Sequence, residues 1–95
     1  MSRQDSDASA ATAAATMMPL NALGDGVLAQ VLDVVAEADD AVRLKSLGIC
    51  IGRRVQLVKG GDPLIVRVLG ARVGLSARLA AGVVVRPLED FDEQV

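Results

Sequence analysis

Side chains that ligate, exchange protons or attack are few in this chain. Its one cysteine, Cys50, stands between Ile49 and Ile51. A thiol in that setting is a small apolar filler if buried, or a soft ligand and oxidisable group if exposed. A tetrahedral metal site needs several Cys or His ligands, so Cys50 alone offers only weak, transient binding. The chain has no histidine, which excludes Ser-His-Asp and Cys-His arrangements. Glu37, Asp39 and Asp40 could present oxygens to a hard cation. They are better accounted for as a polar loop and a helix start, where either aspartate would cap the free N–H groups and suit the positive dipole end. Lys45-Ser46 lacks the upstream glycines of a phosphate loop. Gly60-Gly61-Asp62-Pro63 has the composition of a tight turn. The expectation is a chain with no catalytic residues and no tightly bound cofactor.

The composition says what must position the remaining surface. Ninety-five residues accommodate one domain. The chain is 52% hydrophobic but 1% aromatic, with neither Trp nor Tyr, so its core must be built from Val, Leu, Ile and Ala. Charge is segregated: residues 19–87 hold nine Lys/Arg against six Asp/Glu, whereas residues 88–95 hold four Asp/Glu and no base. A net charge of +3 over the central part is too small to suggest phosphate-driven binding. The only ring, Phe91, lies in the acidic segment, so no stacking platform for bases is available. No nucleic acid partner is expected.

A single cysteine closes no internal disulfide, which fits a reducing compartment. The Ala/Thr-rich stretch 8–18 follows Asp5 and Asp7 rather than a basic region, unlike a secretory signal. No run reaches the 18 or so apolar residues of a membrane-spanning helix, and the expected location is cytoplasmic. The segmentation read from composition is a disordered leader over 1–18, a domain over 19–87 and a solvated acidic tail over 88–95.

Within the domain, Val27–Val34 reads as a strand with Ala29 and Val31 on one face and Leu28, Gln30 and Leu32 on the other. A short helix follows the aspartates, with Ala41, Leu44 and Leu47 on one side, Arg43 and Lys45 outward, and Gly48 as its stop. Residues 54–59 alternate Val55 and Leu57 against Arg54 and Gln56, and 64–69 place Val66 and Val68 inward. Gly70-Ala71 reads as a second tight turn before a strand over 72–75. Residues 76–81 make about one helical turn before Gly82, and 83–86 form the last strand, closed by Pro87. Five short strands cannot bury a face as an isolated ribbon, so closure into a small barrel is the expected solution. The predicted fold is mainly β, a small barrel of about five strands with one short helix after the first strand and a helical turn before the last.

These residues carry a resemblance. Leu20-x-x-Leu23-x-x-Gly26, then Ala29-x-Val31, Arg43-Leu44-x-x-Leu47-Gly48-Ile49-x-x-Gly52, Val55-x-Leu57, Gly61-Asp62-Pro63-Leu64-x-Val66-x-Val68-x-Gly70, Val73-x-Leu75 and Ala80-x-x-Val83-x-Val85 together resemble the ferrous iron transport protein A family over residues 19–87. The resemblance implies an SH3-like barrel in the cytoplasm, acting beside a membrane ferrous iron transporter that carries a cytosolic G-protein domain. It implies a non-enzymatic accessory role through contact with that domain, so that any membrane contact is made through the partner. The same barrel in iron-dependent repressors implies a first alternative, a transition-metal-responsive module with weak or transient Fe2+ or other metal binding. A nucleic-acid-binding small barrel is a second alternative. The motif positions Arg43, Leu44, Leu47, Gly48, Gly52, Asp62, Pro63 and Gly70 are accounted for by folding. Cys50-Ile51, where the family usually has polar residues or proline, is a departure.

The outward apolar positions are the candidate contacts. Leu28, Leu32, Val58, Ile65 and Val84 fall on the faces opposite the inferred core sets. Either short flanking segments cover them, as scattered surface apolars are ordinary, or some form a patch for a partner or for self-association into a homo-oligomer.

Overall fold

The computed structural model describes residues 17–88. The leader up to residue 16 and the acidic segment 89–95 lie outside them. Six strands form one antiparallel sheet: β1 (Met18–Pro19), β2 (Leu28–Val34), β3 (Arg54–Lys59), β4 (Leu64–Val68), β5 (Ala71–Leu75) and β6 (Val83–Pro87). Helix α1 (Ala38–Ser46) joins β2 to β3, and the single turn α2 (Ala77–Ala80) joins β5 to β6. A 3-10 turn, Leu20–Ala22, follows β1.

The period-2 pattern of the strands is realised in their burial. Ala29, Val31, Val55, Leu57, Leu64, Val66, Val68, Leu75, Val83 and Val85 all belong to one core cluster. Fully burying each Val or Leu contributes about 1.5–3 kcal/mol, which suits a core made without rings. Leu20, Leu44, Ile49, Leu79 and Ala80 complete it from the connecting segments. Leu44 is fully buried, while Leu47 packs against the cluster half-buried, so α1 covers the core as its spacing predicts.

The sheet is open rather than closed, which corrects the expected barrel. Its order is β1-β6-β2-β3-β4-β5, and β5 pairs only with β4 among the described residues. Closure would require β1 to accept β5, but β1 has two residues and one is Pro19, which has no N–H to donate. The strand count rises from five to six because Met18 and Pro19 pair with Val85 and Val84. That contact is too short to show as a periodic pattern.

Two local expectations also change. The residue before α1 is Glu37, whose side chain makes no capping bond, and Asp39 and Asp40 lie inside the first turn. The aspartates therefore act on the helix dipole rather than as caps. The β4–β5 turn is Leu69-Gly70, one residue earlier than Gly70-Ala71, because Val68 pairs with Ala71. Leu69 and Gly70 both have positive φ, 54° and 80°, the sign required by the two-residue turns that match strand twist. Gly82, by contrast, is fixed by proximity: a Cβ there would overlap the Val35 carbonyl oxygen. Val35 N–H also donates to the Gly82 carbonyl at 2.7 Å, tying the end of β2 to the start of β6. Ser76 caps α2 by accepting from Leu79 N–H at 3.1 Å.

Candidate partner-binding face

The register determines what shares the outer face of the sheet. Gln30 stands opposite Arg54 on one side and Arg86 on the other. Leu28 pairs with Gln56, Gln56 with Arg67, and Arg67 with Arg72, so one row crosses β2, β3, β4 and β5. Two register shifts adjust the flanks. One falls between Val31 and Asp33 and leaves Leu32 as the extra residue; the other falls between Leu57 and Lys59 and leaves Val58 extra. A bulge of this kind re-aims side chains and increases local twist.

The sequence-predicted contacts consequently separate into two groups. Ile65 pairs with Lys59, next to the Val58 bulge, at the end of the sheet where β2 begins. Leu32 lies beside Asp33, which pairs with Val84, at the opposite end. All four of these apolar residues are half-buried. Leu28 departs from the expectation of an exposed contact. It is 7% exposed, yet it is absent from the main core cluster, so it is buried on the outer side.

Between the two groups runs a belt of arginines. Arg86 is held in place by donating from Nη2 to Gln30 Oε1 at 2.8 Å. Gln56 donates to the Gly26 carbonyl at 3.1 Å, which anchors the β2 entry loop to the same face. Arg67 and Arg72 stand directly opposite one another, an arrangement that destabilises a sheet by charge repulsion. This pair is the feature that pattern reading missed. Its signal was in the turn: once Leu69-Gly70 is the two-residue connection, the arginines on either side must face each other.

Cys50 lies at another corner, half-buried. Arg53 crosses it, donating from Nε to the Gly48 carbonyl at 3.0 Å and placing Nη2 3.7 Å from Sγ. Among the described residues no three His, Cys, Asp or Glu side chains converge as a metal site. Ile51 and Leu69 are exposed near this corner, at 66% and 63%. Leu69 borders Gly48, where an added Cβ would come within 3.1 Å of its side chain.

The acidic trio is likewise dispersed. Asp40 accepts from Arg78 Nη1 at 3.0 Å across a shallow groove that Val35, Glu37, Leu79 and Gly82 help to line. The hydrogen bond from Arg78 holds the Asp40 carboxyl below its usual range, and the same bond raises the Arg78 guanidinium. A depressed carboxylate value means that the pair supports folding above the ordinary carboxylate range and loses that support as pH falls through the lowered value. The pair is surface-lying, so it locks α1 to α2 more than it stabilises the domain. Among the motif residues, Gly48 and Gly52 have φ of +93° and +90°, and Asp62 Oδ1 accepts from Ala77 N–H at 3.1 Å. Both roles are structural.

A family model described as the FeoA domain matches residues 18–87, nearly the whole described chain. The chain belongs to the FeoA family. No curated protein matches the sequence. Among solved structures, an iron uptake regulatory protein, FeoA, is 28% identical, with a TM-score of 0.73 over 76% of this chain and 99% of its own. FeoA of Stenotrophomonas maltophilia, crystallised with zinc and described as an SH3 domain protein, is 37% identical, with a TM-score of 0.65 over 72% of this chain and 88% of its own. A manganese-dependent transcriptional repressor shares the fold at 22% identity and a TM-score of 0.69, over 76% of this chain and 42% of its own. The FeoA domain here thus has a mainly β architecture that also occurs within metal-dependent repressors. No helix among the described residues is long and apolar enough to cross a membrane.

Proposed function

We propose that this FeoA domain is a non-enzymatic accessory protein of ferrous iron uptake that docks on the cytosolic G-protein domain of a membrane Fe(II) transporter. Residues 19–87 are the folded binding unit in this reading, located in the cytoplasm, and 88–95 an acidic appendage. One observation carries the proposal beyond family membership: the outer sheet face has exposed or half-buried arginines between two apolar groups, Val58 with Ile65 and Leu32 with Val84. Apolar contacts supply affinity on burial, and arginines supply orientation and rate of encounter. Leu28, already buried, leaves the set of direct contacts.

The test is a titration of folded variants against the transporter's cytosolic portion, with circular dichroism to verify folding. Ile65→Asp and Val58→Asp should each weaken binding about tenfold or more, the scale of losing one buried apolar contact and burying a charge. Normal binding by both folded variants would remove this face from the interface.

The fold shared with a manganese-dependent repressor supports a second reading, a transition-metal-responsive module. Cys50, crossed by Arg53, is its one thiol ligand among the described residues. Calorimetry that finds a one-to-one Fe2+ or Zn2+ site lost in Cys50→Ser would favour that reading over docking.

A further inference from the structure

We propose that the free edge of β5 takes an extended acidic segment of a partner protein as an added strand. The segment runs antiparallel to β5, with a large apolar residue opposite Gly74 and a carboxylate opposite Arg72. The two edges of the sheet are not alike. At one, β1 has two residues and ends in Pro19, which has no N–H to donate. At the other, β5 runs Ala71–Leu75 without proline, and its pairing with β4 holds register throughout, with no bulge to blunt it. Among the described residues nothing pairs with its outer side.

The register determines which backbone groups that edge presents. Leu69-Gly70 is a two-residue connection, so Val68 and Ala71 flank it as a hydrogen-bonded pair. Bonded and non-bonded pairs alternate along an antiparallel ladder. Val66 with Val73 and Leu64 with Leu75 are therefore the next bonded pairs, whereas Arg72 and Gly74 turn their N–H and C=O groups away from β4. An incoming antiparallel strand meets these groups through two of its own residues, two positions apart. The side chains of those two residues fall on the outer face, beside Arg72.

The side chains there select the occupant. Arg72 is exposed and stands opposite Arg67, and neither makes an ion pair among the described residues. The same rows continue to Gln56 and Lys59, so they contain no acid. Opposed like charges cost stability, and a carboxylate set beside Arg72 offsets that repulsion. Gly74 is the second selector. Its φ is not left-handed, and an added Cβ would meet nothing nearer than Ile65 Cδ1 at 4.0 Å, so neither conformation nor packing within the domain demands glycine. Glycine inside a strand marks the close approach of another group. Here it leaves half-buried Ile65, its partner in β4, with no β5 side chain over it. A large apolar side chain laid across Gly74 covers that gap. In its own chain direction the occupant therefore reads large apolar residue, any residue, Asp or Glu. A second copy of this chain does not fit, because antiparallel β5 pairing would gather Arg67 and Arg72 of both copies at one seam.

The test uses the full chain and the capped peptide acetyl-Ser-Thr-Phe-Val-Glu-Thr-Asp-amide, followed through amide resonances and hydrogen exchange. Saturable shifts are expected at Arg72, Val73 and Gly74, and exchange at the Arg72 and Gly74 amides should slow about tenfold or more in the complex. A peptide N-methylated at Phe, whose N–H meets the edge, should lose binding, while one N-methylated at Val, whose N–H faces away, should keep it. Arg72→Glu should raise the melting temperature by relieving the opposition to Arg67, yet weaken the peptide about tenfold or more. The peptide with Lys in place of Glu should bind that variant better than it binds the unaltered chain. No saturable shift up to about 2 mM peptide, where even millimolar affinity registers, would overturn the site. Equal binding by the two N-methylated peptides would overturn strand addition. Equal binding of the Lys and Glu peptides by the unaltered chain would overturn the acidic preference. Dimerisation of the unliganded chain, with the Arg72 and Gly74 amides already protected, would assign the edge to a second copy and overturn the partner segment. The peptide experiment involves no transporter, so this proposal and the docking reading fail separately.

Discussion

The two faces of the sheet are made by the same strands, yet they obey different rules. On the inner face, Val55, Leu57, Leu64, Val66 and Val83 are completely buried within one cluster of aliphatic residues. On the outer face, the alternate positions of those strands carry Arg54, Gln56, Ile65, Arg67 and Val84. The inner face is uniform because a small core with no rings reaches stability only by filling space with branched aliphatics. The outer face is mixed, and it retains an arrangement that folding alone disfavours, the opposed Arg67 and Arg72. Stability accounts for the inner choice of residues and leaves that outer pair unexplained. A surface that sacrifices stability in this way is where binding is to be sought.

The sharpest way to break this contrast uses two adjacent residues of β4. Val66→Asp would place an unpaired charge in the dry interior, a cost of several kcal/mol that rivals the whole stability of a domain this size. That variant should have no cooperative thermal transition by circular dichroism. Ile65→Asp, one position along and half-buried on the other face, should still melt cooperatively, with a loss of about 1 kcal/mol or less. Equal damage from both substitutions would mean that the outer face is core as well.

A smaller effect is expected where α1 closes the inner face. Leu44 is fully buried, so Leu44→Ala should destabilise by roughly 2–4 kcal/mol in urea unfolding. An unchanged midpoint would show that α1 rests on the sheet without closing it.

The smallest effect has the opposite sign. Leu69 is held at φ 54° in the β4–β5 turn while its side chain is 63% exposed. A branched residue in that conformation costs about 1–2 kcal/mol, and asparagine before glycine is favoured there. Leu69→Asn should therefore raise the melting temperature, corresponding to about 1 kcal/mol. A fall instead would assign Leu69 a packing role, against Gly48, that outweighs its strain.

Much of this organisation is legible in the sequence, for identifiable reasons. Alternation in 54–59 and 64–68 placed Val55, Leu57, Val66 and Val68 inward, because a side-chain period of two leaves only one way to bury an aliphatic set. Leu44 and Gly48 marked the inner side and the end of α1 for similarly local reasons. The candidate face was half legible. Ile65 and Val84 are on the outer side as alternation requires, whereas Leu32 and Val58 fall at register shifts that interrupt it, and the arginine belt between them depends on which strands neighbour which.

What the sequence determined by itself is whatever depends on residues a few positions apart: the inward sets of β3 and β4, the buried side of α1 and its stop at Gly48. Tertiary structure decided what depends on residues brought together from afar. The two-residue β1 exists only because β6 is there to pair with it. Asp40 left its expected capping role for Arg78, a partner 38 positions away. Leu28 became buried on the outer side, although alternation alone describes it as exposed. The sheet stayed open because closure depends on two edge strands meeting, and one of them is a short segment containing proline. Periodicity reports which way a side chain points, while the register of distant strands determines what it meets there.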